Sequence, residues 1–202
     1  MKIIKINSQR PQKSVIKKAA EVLKFGGVIA YPTDTCYGLG ADITNSVAVK
    51  KIYSIKHRDK KALSMIIKKI DEIENYADID DNRKKFLEKY FPGALTAVLL
   101  NLDYKNIKMN TVAFRIPNYE ITRKLMEEIN FPLTTTSANV SGKNVCYNVE
   151  EIIEQFKDQK FQPDLILDAG ELVKNPPSTV VDLINWPPRV LRQGSVKVKI
   201  KD

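Results

Sequence analysis

The sequence predicts one α/β domain built on a mixed parallel and antiparallel sheet, and three observations carry that reading. The chain has 202 residues, against roughly 150 for a typical domain, so one compact unit fills it. Short apolar runs alternate with stretches whose apolar residues recur at helical spacing, in the order β-α-β-α-β. Later strands follow one another too closely for helical crossovers, so part of the pairing must be antiparallel. A composition of 43% hydrophobic and 28% charged residues excludes a fibre, a disordered chain and a membrane protein.

Residues 2–6, KIIKI, read as the first strand. Val15, Ile16, Ala19, Val22 and Leu23 then repeat at helical spacing, and Gly26-Gly27 ends that helix. Residues 28–31 form a short apolar strand closed by Pro32. After a polar turn, Ala48, Ile52 and Ile55 mark a second helix ending near Lys56. Residues 63–67 read as a buried strand and the charged stretch 71–90 as helical surface. Strands at 95–100 and 112–116 precede a helix at 119–129, and residues 133–136 lead into a further polar turn. A helix at 149–156 is followed by strands near 165–167, 180–183 and 190–192. The tail SVKVKIKD fits equally an edge strand guarded by lysines and a frayed end.

Thirty-three basic and 24 acidic residues give a net charge of +9. That field favours an anionic partner, whether nucleotide, nucleic acid or acidic membrane surface, without choosing among them. Cys36 and Cys146 lie far apart and His57 is the one histidine, so neither a Cys/His zinc site nor a disulfide framework is available. A Ser–His–Asp triad would rest on His57, which stands between Lys56 and Arg58, a poor place for a general base. The N-terminus has no long apolar run and no segment approaches the ~18 apolar residues of a membrane span. The expected location is therefore cytoplasmic, or an organelle matrix.

Three polar turns at apparent strand ends are the candidate ligand sites. PTDTCYGLG at 32–40 offers two hydroxyls, a carboxylate and two glycines that let backbone approach a ligand; a capped turn is the plainer alternative. KHRDKK at 56–61 supplies cations for a polyphosphate, or simply ends a helix. TTTSANVSG at 134–142 places four hydroxyls in succession, too polar for an interior strand unless something binds them. Arg115, inside the apolar run 112–117, needs a counter-anion from the protein or from a ligand. Ser178 and Arg192 form a further hydroxyl and arginine pair. Neither a Walker lysine nor a GxGxxG is present.

YPTDTCYGLG, IKHRDKKAL, FPGALT, VAFRIP, TTTSANVSG, PSTVVDL and LRQGSV, in that order, resemble the YrdC-like threonylcarbamoyl-AMP synthase family in its single-domain form. The likeness runs from about Gly26 to Gly194. It implies a twisted mixed sheet with flanking helices around a basic cavity, with residues 1–202 as a single domain. It also implies a nucleotidyltransferase reaction in which L-threonine, bicarbonate and ATP, with Mg²⁺, give threonylcarbamoyl-AMP and pyrophosphate. No protein ligand is assigned to the Mg²⁺. A downstream transferase would carry the threonylcarbamoyl group to tRNA, beside the anticodon.

Position by position, the resemblance assigns Thr35, Arg115 and Ser178 to threonine. It assigns Arg58, Lys61, Thr111, Ser137, Asn139 and Arg192 to ATP, with Lys56, Arg58, Ser137 and Asn139 as the catalytic set. Ala62 and Ala94 stand where the family often has proline. Two other readings remain: a module that binds tRNA or double-stranded RNA in the same basic cavity, and a YciO-like paralogue without synthase activity.

Overall fold

The computed structural model describes residues 1–58, 63–102 and 110–200. The strands are β1 (Lys2–Lys5), β2 (Ile29–Pro32), β3 (Tyr37–Gly40), β4 (Ser64–Ile66), β5 (Leu95–Leu100), β6 (Thr111–Arg115), β7 (Leu133–Ser137), β8 (Leu165–Asp168), β9 (Thr179–Asp182) and β10 (Arg189–Arg192). They form one sheet in the order β1-β8-β2-β3-β7-β4-β6-β5-β9-β10. β8 pairs in parallel with both β1 and β2, and β4–β6 and β5–β9 are also parallel; the remaining pairs are antiparallel. The mixed sheet expected from strand spacing is thus present.

Alternation along the strands divides the interior. Ile29 and Tyr31 of β2 point to the side where α1 (Lys13–Lys24) and α4 (Glu120–Glu128) bury Ile16, Leu23, Ile121 and Leu125. Ala30 points to the other side, against Ile52 and Ile55 of α2 (Ser46–Lys56) and Phe156 of α5 (Val149–Phe156). Farther along the sheet, Leu95, Ala97 and Leu99 of β5, with Val112 and Phe114 of β6, pack on Ile73 and on Phe86 and Leu87 of α3 (Asp81–Glu88). The alternate residues of β5 and β6, namely Thr96, Val98, Ala113 and Arg115, face a cavity instead.

Several local expectations need correction. The PTDTCYGLG segment is a turn only as far as Cys36, because Tyr37–Gly40 is an interior strand between β2 and β7. Gly40 serves packing rather than ligand approach: a Cβ there would lie 2.7 Å from the Tyr31 ring and 3.0 Å from Leu133. Residues 71–90 are not one helical surface. A 3₁₀ helix, Ile70–Asn75, is followed by Tyr76, Ala77 and Ile79, all buried, before Asp80 caps α3 through Arg83 N–H.

The hydroxyl run after Leu133 is strand β7 itself. Thr134 is fully buried and its Oγ1 accepts from Ala41 N–H at 2.9 Å, so backbone rather than ligand satisfies it. The tail forms no strand through residue 200, and it is not frayed. Val196 C=O accepts from Thr179 Oγ1 at 2.6 Å, Lys199 N–H donates to the Tyr90 hydroxyl at 2.9 Å, and Val198 packs on the core.

Replacing Thr134 by valine keeps the shape and strands the buried Ala41 N–H. Thr134→Val is expected to lower the unfolding free energy by about 1–3 kcal/mol. Urea denaturation measures it, and an unchanged midpoint would show that Ala41 finds another acceptor.

Candidate active site

The cavity holds about 730 Å³, within the range of sites for small organic ligands. Its floor is the side of β4, β6, β5 and β9 opposite to Ile73, Phe86 and Leu87. One wall is the turn at 33–36, another is the C-terminus of α2 with the turn at 137–142, and residues 177–180 with Arg192 close it. Lys56, Arg58, Arg115 and Arg192 all line it, and no carboxylate does among the described residues. The field inside is therefore strongly positive, as the net charge suggested, and the surrounding hydroxyls and amides are the partners an anion needs.

Lys56 ends α2, whose start is capped by Asn45 accepting from Val47 and Ala48 N–H. It is 3% exposed. Its Nζ donates to Ser137 O at 2.6 Å, Asn139 O at 2.9 Å and Asn139 Oδ1 at 3.1 Å, while its carbonyl accepts from Ser141 N–H at 2.9 Å. One lysine thus ties the helix end to the turn after β7. His57 follows in a left-handed conformation, φ 49°, which turns the chain so that Arg58 reaches the cavity. Burial and the neighbouring Arg58 guanidinium lower the Lys56 pKa from the usual 10.5 to about 8.

Asn139 is equally engaged. Its Oδ1 accepts from Lys56 and from Ser137 Oγ, and its Nδ2 donates to Val140 O at 3.0 Å and Lys143 O at 2.6 Å. The side chain shapes the turn that faces the cavity, and its polar atoms are occupied by the protein.

On the opposite side, Arg115 is 7% exposed. The counter-anion that the sequence demanded is a protein carboxylate, Asp34, with which Arg115 Nη2 pairs. Nη2 also donates to Thr35 Oγ1 at 3.0 Å, and Thr35 Oγ1 lies 3.1 Å from Thr33 Oγ1. Nε is buried with no partner among the described residues, a donor whose hydrogen bond the protein itself leaves unmade.

Ser178 Oγ lies 2.8 Å from Thr96 Oγ1, and Arg192 holds the Ser178 carbonyl through Nη2 at 2.8 Å and Nε at 3.2 Å. Burial, then the Arg115 charge, lower the Arg192 pKa.

Thr35, Lys56, Arg58, Arg115, Ser137 and Asn139 therefore share one cavity with Ser178 and Arg192. Thr111 sits on the same strand face as Ala113 and Arg115 but is not among the lining residues. Lys61 lies outside the described residues. Thr33, one of the two hydroxyls singled out in the 32–40 turn, lines the site as well, and so do Ser64 and Thr96, to which the sequence reading gave no role. For Thr96 a signal existed: a hydroxyl at an alternate position in an otherwise apolar strand.

Fold and site together define an α/β protein with a cation-lined cavity, suited to small anionic ligands, on a part of its sheet that no described helix covers. The family model Sua5/YciO/YrdC, described as "Telomere recombination", matches residues 21–194, and the chain belongs to that family. A threonylcarbamoyl-AMP synthase of Pyrococcus abyssi is 33% identical over 197 residues, covering 95% of this chain; the chain spans 57% of that protein. A threonylcarbamoyl-AMP synthase of Vibrio vulnificus is 33% identical over 193 residues, covering 90% of this chain and 99% of that protein. YciO of Escherichia coli is 30% identical over 203 residues, with 96% of each chain covered. The crystal structure of P. abyssi Sua5 complexed with L-threonine superimposes with a TM-score of 0.87 at 33% identity, over 96% of this chain and 58% of that one. E. coli YciO gives a TM-score of 0.87 at 29% identity, over 98% of both.

The lowered pKa of Lys56 has a testable sign. The unfolded lysine keeps its proton to about 10.5, whereas the folded one releases it near 8. Between these values the unfolded chain binds more protons, so this group adds stability as pH rises. The stability of the wild type relative to Lys56→Met is expected to increase by ~1–3 kcal/mol from pH 8 to 10 in urea titrations. A flat difference would mean that the three oxygen acceptors hold the proton throughout.

Proposed function

We propose that this chain is a threonylcarbamoyl-AMP synthase, joining L-threonine, bicarbonate and ATP into threonylcarbamoyl-AMP with release of pyrophosphate. The single observation that carries the reading is one cavity with two unlike anion sites. Arg115, which lines the cavity with Thr35, Thr96 and Ser178, suits an amino acid carrying a carboxylate and a hydroxyl. Lys56, Arg58 and the Ser137–Asn139 turn suit a polyphosphate. Likeness to P. abyssi Sua5 complexed with L-threonine supports the first assignment, and likeness to the Pyrococcus and Vibrio threonylcarbamoyl-AMP synthases supports the whole reaction.

The chemistry asks for placement rather than a covalent nucleophile. The threonine amine attacks bicarbonate and water leaves to give a carbamate, whose oxygen then attacks the α-phosphate of ATP and expels pyrophosphate. Arg115 would fix the carboxylate, with Thr35 and Ser178 around the amino acid. Arg58, Arg192 and the Ser137 hydroxyl would neutralise and orient the phosphates, and Lys56 and Asn139 would hold the turn that carries Ser137. Mg²⁺ would enter on the nucleotide's phosphates, since the described cavity wall carries hydroxyls, amides and cations and no carboxylate. The product is an activated carbamoyl-adenylate, which a transferase acting on tRNA would consume. Among the described residues no helix is long and apolar enough to cross a membrane, in keeping with a cytoplasmic site of action.

A second reading is favoured by the equal superposition on E. coli YciO, over 98% of both chains. The two readings separate on threonine. With ATP, Mg²⁺ and bicarbonate, pyrophosphate release is expected to require L-threonine and to fail with serine. Arg58→Ala is expected to abolish it while the melting temperature stays near that of the wild type. Release that ignores threonine would overturn the synthase reading, and nucleotide binding without any release would favour the YciO-like one.

A further inference from the structure

Asp34 is not among the cavity-lining residues, yet both oxygens of its carboxylate are engaged by the protein. Its side chain is 13% exposed and that of Arg115 is 8% exposed. Oδ1 accepts from Arg115 Nη2, and Oδ2 accepts from the Asn118 backbone N–H at 3.2 Å. The Asp34 carbonyl accepts from Asn175 Nδ2 at 3.3 Å. Three chain segments therefore meet at one residue: the turn before β3, the turn after β6, and the stretch leading to β9. Arg115 meanwhile spends Nη2 on Asp34 and Thr35 and keeps Nε buried without a partner.

We propose that Asp34 is a positioning and specificity-determining residue of the amino-acid subsite, acting through Arg115. The inference rests on the threonine reading above. A buried guanidinium needs a neutralising charge, and Asp34 supplies it from behind while engaging a single nitrogen. The rest of the cavity-lining guanidinium is thereby left for a ligand carboxylate. The neutral pair offers hydrogen-bond geometry but little net field, so it accepts the carboxylate of a zwitterionic amino acid without drawing in phosphate groups that belong beside Lys56 and Arg58. Stripped of Asp34, Arg115 becomes a lone buried cation in a cavity that also receives polyphosphate.

Asparagine cannot replace this carboxylate. With its oxygen toward Arg115, its amide group opposes Asn118 N–H; flipped, it opposes the guanidinium.

Calorimetric titration of threonine and, separately, of ATP into the wild type, Asp34→Asn, Arg115→Lys and the double variant tests the proposal. Asp34→Asn is expected to weaken threonine by about tenfold or more and leave ATP within about twofold. Inorganic phosphate is expected to become a competitor of threonine in that variant alone. In the Arg115→Lys background, Asp34→Asn should add little, because both changes break the same pair. Should Asp34→Asn not fold, Asp34→Glu carries the same test, with weakened threonine and unchanged ATP. Unchanged threonine affinity in a folded variant, equal losses for both ligands, or additive effects in the double variant would overturn the inference alone. A wild type that binds ATP and no threonine would overturn the synthase reading, and this inference with it.

Discussion

A sheet face that no described helix covers is the constraint from which the site follows. In β5 and β6 the residues pointing one way are Leu95, Ala97, Leu99, Val112 and Phe114, all packed under α3 and the 3₁₀ helix. Those pointing the other way are Thr96, Val98, Ala113 and Arg115, and they look into the cavity. An uncovered apolar face would be a liability, so the bare positions carry hydroxyls, small side chains and a paired cation. Hydrophobic order on one side thus leaves chemistry free on the other.

That floor is useful only because its walls are held. Lys56 does this on one side by giving all three ammonium protons to the turn after β7. Asp34 and Thr35 do it on the other by fixing Arg115. Both devices place a charged group in the interior, where its desolvation is offset by dense hydrogen bonding. The two cations are held differently. Lys56 has its donors filled by the protein, whereas Arg115 Nε has no partner among the described residues, so the first builds the site and the second, in the function proposed above, binds in it.

Much of this was legible in the residues. The apolar runs gave nearly every strand and helix, and Arg115 announced its need for a counter-anion. Three features were hidden for physical reasons. Tyr37–Gly40 looks like turn because its glycines suit either, and only the close approach of Tyr31 and Leu133 explains them. Residues 134–137 look too polar for a central strand because the acceptor role of Thr134 toward Ala41 N–H depends on a chain segment about ninety residues away. The stretch 71–90 is charged overall, which masked Ile73, Tyr76, Ala77 and Ile79 beneath it. The site residues came from the seven motifs taken in order; taken singly, each was as easily a cap or a solvated helix end.

The strand order also says when the protein can exist. β1, first in the chain, pairs among the described residues with β8 alone, and β5 needs β9 on its far side. A growing polypeptide halted before Leu165 would leave both edges unpaired and the cavity without Ser178 and Arg192. Contacts of such long sequence separation form slowly. The complete cavity is therefore assembled late in synthesis, as the last strands slot between and beside those made first, and a truncated chain would expose raw sheet edges instead of a weakened site.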